Sequence, residues 1–319
     1  MQSEQQINII ATGSGEKDVA GQAKDGDIRI GGSSVNGKDI LLDAANDVNL
    51  ESAANTVDSR SESSQKSASV GVDLASGGVT ISGQRGNGNT DAHQVNYNET
   101  LITAENNLTV KSGSDINIVG GQAKGDIVKV EASGDLNLAS QQDRETYTEK
   151  NKSTNGSIGI GAGVTGNVGV NKGKIDSDYQ SVKEQTGIFA GSGGFAIKVE
   201  GNTDLKGAVI GSEATTDKNK LDTGSLTWSD IENKAEYEAS NSGLSLDFKD
   251  GKLTSDLTPD MPVNGDAAST TQSAVAAGSI EIRTGNTDIS QLNRNTDQAL
   301  NTLGTIFDKK TVQEKQELV

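Results

Sequence analysis

Asp115-Ile116-Asn117-Ile118 and, twenty residues on, Asp135-Leu136-Asn137-Leu138 decide how this chain folds. The same phrase stands at Asp47-Val48-Asn49-Leu50, with a relative, Asp27-Ile28-Arg29-Ile30, twenty residues before it. Each alternates apolar and polar residues, the period of a strand with one buried face. Further relatives are Asn107-Leu108-Thr109-Val110, Phe195-Ala196-Ile197-Lys198-Val199 and Ser279-Ile280-Glu281-Ile282. Turn formers precede the phrases: Gly26, Asn46, Ser114, Gly134, Gly194 and Gly278. Strands that return every ~20 residues, with no helical pattern between them, predict an all-β solenoid, a parallel β-helix. Its coils would stack about 4.8 Å apart. Val48, Leu50, Ile116, Ile118, Leu136 and Leu138 are expected inside.

A longer period lies over the short one. Asp47 recurs at Asp135, a shift of 88, and Leu101 recurs at Ile188, a shift of 87. Between the coil strands of each long repeat runs an alternating arm. The first holds Ala68, Val70, Val72 and Leu74, a turn at Ser76-Gly77-Gly78, then Val79 and Ile81. The second holds Ile158, Ile160, Ala162 and Val164, a turn at Thr165-Gly166-Asn167, then Val168 and Val170. The third holds Leu244, Leu246 and Phe248, a turn at Lys249-Asp250-Gly251, then Leu253. All three read as β-hairpins. A lone hairpin is marginal in water, so the arms are expected to dock on the solenoid or on one another. Gly159, Gly161 and Gly163 suggest close approach of a neighbouring sheet.

The hairpin-bearing helix is expected over residues 1–260. Residues 261–286 then read as a polar linker, Met261 to Ser273, with a last strand, Ser279 to Arg283. Over 287–319 the spacing of Ile289, Leu292, Leu300, Leu303 and Ile306 or Phe307 predicts a short helical C-terminal tail, Ser290 to about Leu318, capped by Asp288.

Composition agrees with a thin core. The 319 residues are 32% hydrophobic, with nine aromatics, two prolines and 39 glycines. A compact ball would fill its centre with larger side chains. The net charge of −17 repels phosphates and so argues against a nucleic-acid partner, while keeping a β-rich surface soluble. Cysteine is absent, which suits a chain exported unfolded and uncrosslinked. No apolar run approaches the ~18 residues of a membrane helix. Met1 to Ile10 lacks the basic-then-apolar pattern of a signal peptide, so an internal segment of an exported protein is expected.

The chain resembles the haemagglutinin-repeat region of two-partner-secreted exoproteins, a family of filamentous haemagglutinins and contact-dependent growth-inhibition effectors. The resemblance rests on Gly37-Lys38-Asp39-Ile40 through Asn55, the glycine-alternating arm Ser157 to Val170, and Leu226-Thr227-Trp228-Ser229-Asp230-Ile231-Glu232-Asn233-Lys234-Ala235. It continues in Ala277-Gly278-Ser279-Ile280-Glu281-Ile282-Arg283 and Ile306-Phe307-Asp308-Lys309-Lys310, and so covers nearly the whole chain. It implies a right-handed parallel β-helix, exported through an outer-membrane two-partner secretion transporter to the bacterial cell surface. It also implies a C-terminal toxin elsewhere in the full-length chain, which this region helps carry across the target-cell outer membrane. The other reading is an adhesin that binds a receptor or other surface molecules through its arms.

No residue is assigned to a catalytic, cofactor-binding or metal site. Tandem Gly-Gly-x-Gly-x-Asp and EF-hand phrases are missing, and Asp25-Gly26-Asp27 and Thr216-Asp217 read as turns. Asp43, Asp47, Glu51 and Arg60 are the best carboxylate cluster for a glycosidase-like site, yet sit among repeats rich in Ser, Asn and Thr. His93, alone among polar neighbours, reads as a surface residue. Gly159-x-Gly161-x-Gly163 has no helix after it to face a phosphate. Trp228 reads as solenoid packing rather than as a ligand platform shared with Tyr237.

Overall fold

The computed structural model describes residues 5–19, 21–73, 78–260, 262–285 and 288–317. Every coil strand finds its partner one coil away, in parallel, and the ladders close into a three-faced β-helix. One ladder joins 34–37, 100–103, 121–124, 187–190, Val209–Ser212 and Ala274–Val275. The second joins Gln6–Ala11, 39–44, 107–112, 127–132, 194–199, 220–223 and Ser279–Ile282. The third joins Ile28–Gly31, Val48–Glu51, Ile116–Val119, Leu136–Ala139, 203–206 and 226–229.

The alternating residues become columns. Ile9, Leu42, Val110, Val130, Ile197, Leu221 and Ile280 stack along the second ladder, and Val35, Ile102, Ala123, Ile188, Ile210 and Val275 along the first. Val48, Leu50, Ile116, Ile118, Leu136 and Leu138 are all buried, as expected from the sequence. Two sequence readings change. The Asp-headed phrases occupy the third ladder, whereas Asn107-Leu108, Phe195-Ala196 and Ser279-Ile280 belong to the second: similar alternation serves two faces of one coil. The true partner of Ile188 in the long repeat is Ile102 rather than Leu101, because Ile102 and Ile188 both align with Ala123.

The arms leave the helix at every second passage from the third ladder to the first. The alternate passages are tight turns at Gly32, Gly120 and Gly207, with φ of 52°, 68° and 54°. A Cβ at these three would lie 2.5 Å from Ala53 Cβ, 2.3 Å from Ser52 Oγ and 2.6 Å from Ile231 Cδ1. Only glycine fits under the root of an arm in that conformation.

The first arm is Ala53–Asp73 with Gly78–Asn98, the second Asp143–Ile160 with Val164–Ser181. The third is Ile231–Lys249, whose return is split into Lys252–Thr258 and Val263–Thr271. They pair with one another, antiparallel and in order, as one seven-stranded sheet. Coils about 4.8 Å apart explain this, since two coils rise by the width of a two-stranded hairpin. The second turn falls at 161–163, because Ile160 already faces Val164; the expected Thr165-Gly166-Asn167 lies on the returning strand. Gly159 lies between Thr80 and Thr165 within the arm sheet, rather than against a second sheet. Leu74, Ser76, Gly77, Met261 and Leu318 lie outside the described residues.

The stretch expected as a linker holds the strand Val263–Thr271, paired with 231–239. Pro259 and Pro262 flank the break in this edge of the sheet, where a missing N–H is tolerated. The tail is mostly not helical. Among the described tail residues the helical turns are Thr296–Gln298 and helix α1, Lys309–Glu317. Asp288 caps no helix and instead accepts the Ser290 N–H at 2.9 Å. Leu292 and Ala299 are spent packing on the solenoid end, and the segment between them runs irregularly across it.

Candidate functional site

Facing residues across an antiparallel sheet share a side, so the arm ladders sort every arm residue onto one of two faces. On one face, nearest the tip, Val72, Val79, Ile160 and Val164 form a row, and Val70, Ile81, Ile158, Gly166, Phe248 and Leu253 the next. Val168 with Leu246, and Val170 with Leu244 and Leu257, continue it toward the root. Nearly all are exposed: Val70 at 68%, Ile158 at 61%, Leu253 at 68%. Lys66 and Arg85 stand in the row of Val170 and Leu244 on the first arm, and behind that row come Lys152 opposite Lys172, then Lys150 opposite Lys174. Still nearer the root come Asp58, Asp91, Asp176, Asp178, Glu236 and Glu238, with Arg60 among them. The face is banded: apolar, basic, acidic.

The other face is polar and mostly small over the same outer span, with Asp247, Asp256, Lys249 and Lys252 on its third-arm side. Its rows run Ser69, Ser82, Ser157, Asn167 and Ser67, Gln84, Asn155, Gly169, Ser245. Nearer the root the tail covers it. Phe307 lies 5.3 Å from the Tyr147 ring and 6.0 Å from that of Tyr237, and Val312 packs with Ile175 and Ala239. Asp308 begins α1 by accepting the Thr311 N–H at 2.8 Å. Lys309 reaches the buried Glu149 at 2.6 Å. Burial alone would raise the Glu149 pKa; hydrogen bonds from Lys309, Tyr147 and Asn151 hold it below the usual carboxylate range.

The arm roots are pinned by buried hydroxyls bonded to coil backbone: Thr100 to Glu51 at 2.6 Å, Ser140 to Gly207 at 2.6 Å, Ser273 to Ser229 at 2.7 Å. Beside them Glu99, Asp143, Lys183 and Glu184 line a cavity of about 110 Å³. Burial, then the neighbouring Glu184, push Glu99 up to about 8.

The residues weighed for chemistry do not converge. Asp25 binds Ser14 at 2.7 Å, and Asp217 lies in a short turn. Asp47 serves the backbone of the next coil, Glu51 pairs with Arg29 at 2.5 Å, and Arg60 sits out on the first arm beside Glu62. Asp43 is on the second ladder, paired with Lys111. His93 is exposed, 2.5 Å from Asp58. Trp228 packs on the solenoid core while Tyr237 packs under Phe307, so they form no joint platform. Among the described residues no three His, Cys, Asp or Glu side chains are placed to hold a metal. The banding of the arm face was missed in the sequence. Its signal is there in Lys150-Asn151-Lys152 and Lys172-Gly173-Lys174, two period-2 pairs that a hairpin brings together.

Residues 1–154 match the family model of the hemagglutinin repeat. A deoxyribonuclease CdiA of Yersinia pseudotuberculosis is 37% identical over 97% of this chain. The chain is haemagglutinin-repeat sequence of the CdiA type. A tRNA nuclease CdiA of Escherichia coli NC101 is 36% identical over 98% of it, and a 16S rRNA endonuclease CdiA of Enterobacter cloacae 36% over 96%. The chain spans 30% of the first relative's length and 10% of each of the others. No solved structure matches it.

Proposed function

We propose that this CdiA-type segment is a non-enzymatic delivery module. It belongs to an exoprotein displayed on the bacterial cell surface through an outer-membrane two-partner secretion transporter, and helps a C-terminal toxin cross the target cell's outer membrane. The observation that carries this is the two-faced arm sheet, apolar on one side of its outer half and polar on the other. That is the alternation of a strand with lipid on one side and water on the other. The arm strands of 18 to 21 residues exceed the ~9–11 needed to cross a bilayer at a tilt. Among the described residues no helix is long and apolar enough to cross, so strands are the elements suited to enter lipid. The relatives add support: similar segments accompany proteins named for three different nucleolytic activities, so a shared role lies outside nucleic-acid cleavage.

Insertion would require closing the sheet, since unpaired edges are too costly in lipid. The first strand, 53–73, pairs on one side only, and further strands or copies would have to cover its other edge. The test is deletion of the outer arms, 64–87 and 152–172, from a full-length effector. The account expects normal display and normal receptor binding with loss of intoxication. Wild-type intoxication by the deletion variant would leave the arms as mere thickening of a stalk.

A further inference from the structure

The chain as a whole is strongly acidic, at −17, yet six cations gather on one face of the arm sheet directly behind its apolar tip. Lys150 faces Lys174 and Lys152 faces Lys172 across the second hairpin. Like charges directly opposite on neighbouring strands destabilise a sheet. Glu62 shares the row of Lys150 and Lys174 but pairs with Arg60; the other acids lie nearer the root, and of these lysines only Lys174 reaches one, Asp176. Among the described residues Lys66, Arg85, Lys150, Lys152 and Lys172 make no ion pair, and all are exposed. The four facing lysines, with Ser64, Asn87 and a single acid, Glu62, line a shallow trough of about 870 Å³. Among the described residues three of the four facing lysines are left without an ion-pair partner.

We propose that this face seats on an anionic lipid surface, its apolar tip in the acyl boundary and its lysine band on the headgroup phosphates. The proposal rests on the delivery reading and names the surface the arms meet. Dimensions agree. Same-face rows along a strand are about 7 Å apart, so the lysine rows stand one and two steps behind Val170 and Leu244. Headgroup layers are of that order, about 5–8 Å on each side. Long lysine stems let the ammonium groups reach phosphate while the aliphatic part covers apolar surface. A second copy is the poorer occupant, because face-to-face packing with the arms aligned sets lysine on lysine. The acidic rows at the root limit how far the sheet sinks, since they are repelled by the same phosphates.

The experiment is flotation of the 319-residue chain with vesicles of phosphatidylcholine alone, or of equal parts phosphatidylcholine and phosphatidylglycerol, at low and high salt. The expected result is binding at least about tenfold tighter to the mixed vesicles, weakened by salt. K150Q/K152Q/K172Q/K174Q should abolish the preference without lowering the melting temperature, because it removes repulsion. I81S/I158S should weaken binding to both vesicle types. Equal binding to neutral and anionic vesicles, an unchanged preference in the lysine variant, or self-association in place of vesicle binding would overturn the proposal. In a full-length effector, arm deletion that stops intoxication beside a lysine variant that does not would sink the headgroup proposal and leave the delivery reading standing. An arm deletion without effect would sink the delivery reading, whatever the vesicles show.

Discussion

The aspartate at the head of each coil phrase is there for one bond. Asp47 Oδ1 accepts the Asp115 N–H at 3.0 Å, Asp115 that of Asp135 at 2.7 Å, and Asp135 that of Asn202 at 2.7 Å. Each coil thus caps a corner N–H of the next, which strand pairing leaves free. Two residues on, Asn49, Asn117 and Asn137 form an amide ladder at 2.9 Å per step. These roles are legible in the sequence as a recurring phrase, since stacking identical coils brings identical residues together. Glu99 is not legible that way, because its neighbours come from two arms. Its carboxyl is raised from 4.5 to about 8, first by burial and then by Glu184. The native chain therefore holds a proton that the unfolded chain has lost between those pH values. The stability this confers is complete below pH 4.5 and is lost as pH rises through 8. Glu99→Gln, neutral throughout, should melt with the parent near pH 4.5, progressively above it up to about pH 8, and by a constant margin at higher pH. A melting difference that does not change with pH would contradict this assignment.

At the scale of elements, one hairpin is matched to two coils, and the 88-residue shift is that match written into the sequence. Gly32, Gly120 and Gly207 mark the passages without an arm, and the arms mark the others. Removing 48–135 excises a whole unit, two coils and an arm, and should leave a shorter protein that melts cooperatively. Removing only 116–135 leaves a single coil, a rise of about 4.8 Å, between two arm roots that need twice that. This smaller deletion should be the more damaging, with broadened melting and protease-sensitive arms; equal tolerance of both would refute the matching rule. Strand type and spacing were readable because alternation is local. The second turn was misplaced because Val164 continues the apolar alternation past the true turn at 161–163. The tail was overread as helix because its apolar spacing is periodic by accident: its backbone is held extended by bonds to the arms, as from Asn233 to the Asn301 carbonyl at 2.9 Å and from Tyr179 to that of Leu303 at 2.8 Å.

For the whole molecule, the consequence is a division of labour between two sheets of opposite kind. The parallel ladders bury the apolar columns and set the rise. The antiparallel sheet, built from segments far apart in sequence, exposes its apolar residues on one banded face. That banding depends on the pairing between arms, which no single hairpin reveals, and so could not be read from any one stretch of sequence. The pairing is therefore the claim on which the delivery and lipid readings both depend. The absence of cysteine makes it directly measurable. Ile81 on the first arm faces Ile158 on the second, whereas Ser157 points to the opposite side. Facing Cβ atoms about 4.5–5.5 Å apart lie close enough for a disulfide to form with small adjustment. Under mild oxidation, I81C/I158C should crosslink within one chain quickly and nearly completely, and I81C/S157C should not. Equal crosslinking of the two pairs, or none in either, would contradict a single continuous arm sheet in this register.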